Sequence, residues 1–163
     1  MLGFVETHLG SNQVSRVVYG AIIGLALVVA LEAHPPPPGA VVASLVGTGV
    51  AVALAEVYSE TLGTEVRTRH RVEGARRRAI WTDTGAVVFG VAFPAVFFVL
   101  AAAGATDTDT AFDLAKWSGL GLIAFYGFCA ARLSGADLVS AIVKGVAAAL
   151  IGGFLIGLKA IVH

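Results

Sequence analysis

Cysteine and methionine are almost missing from this chain, and charge is scarce. The single cysteine, Cys129, excludes an intramolecular disulfide framework. Met1 is the only methionine, so no thioether is available inside the chain. Lys, Arg, Asp and Glu make up 13% of the 163 residues, against roughly 25% in soluble domains. The acidic and basic residues balance at 11 each, which argues against a nucleic-acid module. The four histidines, His8, His34, His70 and His163, are scattered without metal-ligand spacing. No Ser-His-Asp order, nucleotide loop or Cys-His cluster stands out, so an enzyme is not expected. What remains is abundant: 57% of residues are hydrophobic, 20 are glycine, and mean hydropathy is +0.85. That composition points to an integral membrane protein.

The charges divide the chain into spans. Arg16 and Glu32 enclose fifteen uncharged residues, Glu32 and Glu56 twenty-three, Asp83 and Asp107 twenty-three, and Lys116 and Arg132 fifteen; Lys144 alone interrupts Asp137 to Lys159. A helix needs about 20 residues to cross about 30 Å of hydrocarbon. The two short gaps suffice if their flanking charges snorkel to the headgroups. The pattern predicts one all-α transmembrane domain over residues 1–163, with five helices near 15–33, 39–66, 80–104, 111–133 and 137–161. The first charged residue is Glu6, with no basic stretch ahead of an apolar core, so the first helix is expected to stay as a span. Pro35 to Pro38 form a stiff turn after it. Pro94 is expected to bend the third helix. Thr110 with Asp113 and Ser134 with Asp137 fit capping patterns for the last two.

Arg67, Arg69, Arg71, Arg76, Arg77 and Arg78 crowd the connector 67–78, and Arg16 and Arg132 fall on the same side. Basic residues stay cytoplasmic. The expected placement is a multi-pass cell-membrane protein with its N-terminus inside and its C-terminus outside. The connector arginines suit anionic lipid headgroups. Nucleic acid suits them poorly, because the run is short and lacks interleaved aromatics.

Glu56 and Glu60 stand four apart near the cytoplasmic end of the second helix, so both carboxylates share one face. A carboxylate at that depth needs protein, water, a proton or a cation beside it. Two arrangements fit. Lys144, at a similar depth on the fifth helix, could form a structural ion pair with Glu56. Alternatively, the two carboxylates could hold a hard divalent cation or a proton. Gly20–Gly24 and Gly153–Gly157 read as GxxxG, which serves either packing within the bundle or a homodimer seam.

In helix order and motif spacing the chain resembles a small member of the vacuolar iron transporter family. Tyr19 to Leu25 resembles its first-helix Gly-Ala-Asn-Asp-Gly-Leu motif, and Ala55 to Ser59 its second-helix Gly-Glu-Tyr-Val-Ser motif. The Pro94 helix and Ala131 to Gly135, leading into a glycine-rich last helix, resemble it as well. The resemblance covers nearly the whole chain. It implies a dimeric fold that exchanges Fe2+ or Mn2+ for protons, with Glu56 as the metal or proton site; Glu60, one turn on, is placed to assist it. Ile22 and Ile23, however, stand where the family has its Asn-Asp pair, and the cytoplasmic insert is reduced to a basic connector. A site lost within a kept fold does not carry its function. The alternative expectation is therefore a non-transporting member, a structural or accessory subunit of a larger membrane complex.

Overall fold

Prolines 35 to 38 deny the backbone the donors that a helix interior needs, and the first helix, α1 (Ser11–Glu32), ends just before them. Pro38 then serves as the first residue of α2 (Pro38–Thr68), where a missing N–H costs nothing. A computed structural model describes residues 11–162 and shows an all-α chain; some side chains near helix ends, those of Arg76 and Lys159 among them, fall outside that description. His8 and His163 also lie outside the described residues. After α2 come α3 (Gly74–Ala92), α4 (Ala95–Ala102), α5 (Thr108–Leu133) and α6 (Leu138–Val162).

The expected third helix is two. Arg77–Ala92 and Ala95–Ala102 are bent by 50°, because Pro94 lacks an N–H and its ring crowds the carbonyl one turn back. By length and composition, α1 from Gln13, α2 and α5 can each cross a membrane, and the bent α3–α4 pair makes a fourth span if taken as one. The described apolar stretch of α6, Leu138–Phe154, is shorter. Among the described residues, three or four candidate spans therefore stand against the five that the charge spacing predicts.

The connector also differs from the sequence expectation. α2 continues to Thr68 and α3 starts at Gly74, so the link is residues 69–73 rather than 67–78. Arg69 closes α2 in the left-handed region at φ 55°, and Val72 is buried while its N–H donates to Glu65 Oε1 at 3.3 Å. The caps sit elsewhere too. Asp107 caps α5, accepting from Thr110 N at 2.8 Å and Thr110 Oγ1 at 2.7 Å, whereas Ser134 closes α5. Those two donors hold the Asp107 carboxyl below its ordinary 3.8. Its contribution is present above the unfolded value and fades as pH falls through the lowered one.

α1 is the central helix, packed on α3 and α5 and less on α6, while α2 leans on α3 and α4. The α1–α3 crossing is backbone against backbone. A Cβ on Gly20 would lie 2.2 Å from Val87 O, one on Gly24 2.7 Å from Val91 O, and one on Gly90 2.4 Å from Val17 O. The Gly20–Gly24 pair thus packs within the chain, replacing the hydrophobic drive that lipid removes. By contrast, among the described residues no atom lies within 4 Å of a Cβ built on Gly153 or Gly157. One core cluster gathers Val28, Leu45, Phe98, Phe112 and Ala115, among others, with Phe98 and Phe112 edge to face at 4.8 Å. A second joins Ala21, Leu25, Val29 and Ile123.

Gly90→Ala should separate α1 from α3 and cost about 1–3 kcal/mol, the usual range for overpacking. Gly85→Ala has open space around its Cβ and should be neutral or stabilising by up to about 1 kcal/mol. Thermal unfolding of the two variants in one detergent checks the contrast, and equal melting temperatures would refute the close crossing.

Candidate functional site

Glu56 and Glu60 do share one face of α2, and the group that meets them is Arg16 of α1. Its Nη1 donates to Glu56 Oε1, and its Nη2 donates to Glu60 Oε2 at 2.8 Å. Asp83 of α3 brings a third carboxylate, with Oδ2 3.7 Å from Nη2. The fork geometry explains the match. Guanidinium N–H groups diverge in one plane, and carboxylates one turn apart present themselves about 6 Å apart along the helix. The four side chains are only 19% to 25% exposed, so water screens them weakly.

Lys144 is not the partner. It lies exposed on α6, which packs on α5 and α1, whereas α2 packs on α3 and α4. Similar depth placed Lys144 and Glu56 together in the sequence reading; the bundle sets their helices apart around its axis. The sequence pattern gives Arg16 a place at the headgroups on the basic side and makes Asp83 the end of a span. Their one available signal was that both bound spans at the same end of the bundle as Glu56.

A cleft of about 470 Å³ opens beside the cluster, lined by Tyr19, Val52, Ala55, Glu56 and Ser59. Glu56 Oε2 is buried and lacks a hydrogen-bond partner among the described residues. Among those residues, no group of three or more His, Cys, Asp or Glu side chains is arranged to hold a metal ion. Ile22 packs against the cluster of Ala21, Leu25, Val29 and Ile123, so this position of α1 is an apolar packing residue.

The far end of α1 carries a second ionic group. Lys116 Nζ of α5 lies 2.6 Å from Glu32 Oε1 and 3.0 Å from Asp113 Oδ1. The connector arginines are spread over three settings. Arg67 ends α2, Arg69 and Arg71 are in the link, and Arg77 and Arg78 stand in the first turn of α3; the Arg76 side chain is outside the described set.

Arg16→Gln removes the guanidinium from three part-buried carboxylates and should destabilise the protein by about 1.5–3 kcal/mol, the range for hydrogen bonds to charged groups and below the cost of breaking a fully buried pair. Adding Glu56→Gln should restore part of that loss, because one uncompensated charge is gone. Melting temperatures of the single and double variants test this, and additive losses would contradict a direct pair.

No protein-family model, curated protein or solved structure matches this chain.

Proposed function

We propose that this chain is a non-transporting, vacuolar-iron-transporter-like membrane bundle that serves as a structural or accessory subunit of a larger membrane assembly. The observation that carries this reading is the Arg16 fork, which engages both Glu56 and Glu60. A guanidinium stays protonated at any pH the protein meets. It therefore occupies both glutamates with a permanent internal cation, and among the described residues no group of three or more His, Cys, Asp or Glu side chains is arranged to hold a metal ion. In this reading α3 and α4 form one span and α6 the fifth. The basic end and N-terminus face the cytoplasm, the C-terminus lies outside, and Gly153 and Gly157 are available to a second copy in a homodimer.

The competing reading is proton-coupled movement of Fe2+ or Mn2+ through a site at Glu56 and Glu60. It draws on one specific feature: one guanidinium faces three carboxylates beside an open cleft. Flux separates the two. In proteoliposomes, uptake of Fe2+ or Mn2+ should equal that of protein-free vesicles, with or without a proton gradient. Uptake well above that baseline and abolished by Glu56→Gln would overturn the proposal and assign the site to transport.

A further inference from the structure

The turn between α2 and α3 borders a second, open cleft of about 460 Å³, whose lining includes Thr64, Arg67, Thr68, His70, Arg71 and Glu73. Neither Arg67 nor Arg71 makes an ion pair among the described residues, so both guanidinium groups keep their donors. Thr64 is 9% exposed, and its Oγ1 is buried without a hydrogen-bond partner among the described residues. An unpaired buried hydroxyl costs about 1–3 kcal/mol, which a ligand oxygen would relieve. Other polar groups of the turn are already used. Thr68 Oγ1 donates to Thr64 O at 2.8 Å, and His70 Nδ1 lies 2.7 Å from Thr68 O. These bonds hold the turn in shape around the cleft. The net lining charge is positive, two arginines against the single carboxylate of Glu73.

We propose that this cleft binds the phosphate of an anionic phospholipid headgroup. Arg67 and Arg71 meet the phosphate oxygens as charge-assisted donors, and the Thr64 hydroxyl supplies a third, neutral one. The cleft follows directly on the end of the apolar α2, the level at which headgroups would lie. The inference rests on the reading above that the basic end of the bundle sits at a membrane surface. It also narrows the six connector arginines to two.

The test uses the full chain in nanodiscs of mixed phosphatidylcholine and phosphatidylglycerol, with retained lipid counted by native mass spectrometry. Recovery in the nanodisc fraction reports the membrane reading; lipid selectivity reports the cleft. Arg67→Gln with Arg71→Gln should reduce phosphatidylglycerol retention by about tenfold or more. Arg77→Gln with Arg78→Gln removes equal charge outside the cleft and should change retention by less than about twofold. Thr64→Val, which keeps the shape, should weaken retention by about threefold. If the cleft double variant fails to insert, Arg71→Gln alone, in the link, gives the same comparison. Equal losses from both arginine pairs would overturn the site in favour of a diffuse surface field. Undiminished retention in the cleft variants would overturn it outright. Binding of inorganic phosphate in phosphatidylcholine-only discs, lost in the cleft variants and displacing phosphatidylglycerol, would reassign the cleft to a soluble phosphate.

Discussion

At Gly20, Gly24 and Gly90 the backbones of α1 and α3 touch, each glycine leaving no room for a Cβ. The ionic cluster depends on that approach. Arg16 stands one turn before Gly20 and Asp83 two turns before Gly90, so the faces that bring the helices together also carry the charges. α2 then leans on α3 and delivers Glu56 and Glu60 to the same guanidinium. A wider crossing would leave Arg16 beyond reach of carboxylates on two neighbouring helices. The small residues thus have an electrostatic consequence as well as a packing one.

The same central helix ends in a second pair of opposite charges, Glu32 with Lys116. Arg16 and Glu32 are sixteen positions apart, which is about 24 Å along the axis. That falls short of about 30 Å of hydrocarbon, and the long arms of Arg16 and Lys116 can cover the difference. Between the two groups lie the residues that make the core dry, Leu25 and Val28 among them. The two groups therefore bracket an apolar slab, and each pairs charges contributed by neighbouring helices. Zero net charge over the chain conceals this local pairing.

Much of the fold was legible because its signals are local. Charge spacing located the helix ends to within four residues except the start of the third helix, which lies six residues earlier; the proline run stopped α1, and Pro94 broke the third helix. Glu56 and Glu60 share a face simply because they are four apart. What escaped depends on distance in space. Arg16 meets Glu56 across forty residues, and periodicity along one helix does not say which neighbour it faces. Depth alone suggested Lys144, because two residues can lie at one level on helices set apart around the bundle. The short connector was hidden because its arginines are compatible with helix ends as well as with a loop; Arg67, Arg77 and Arg78 are in fact helical.

The family resemblance and the ionic cluster bear on each other. Where the resemblance implies an Asn-Asp pair from the first helix, this chain has Ile22, packed among apolar side chains, and Ile23 in place of the carboxylate. Six residues earlier the same helix contributes a cation, Arg16, to the second-helix glutamates. An exchangeable ion must leave, and a proton can be lost by titration; a guanidinium can do neither. Freeing Glu56 and Glu60 would require the Arg16 arm to swing out of the fork or α1 to move relative to α2. The α1–α3 contact opposes that motion, because packed backbones shift between discrete arrangements rather than deform continuously. The geometry that lets Arg16 reach the carboxylates is thus also what keeps it there.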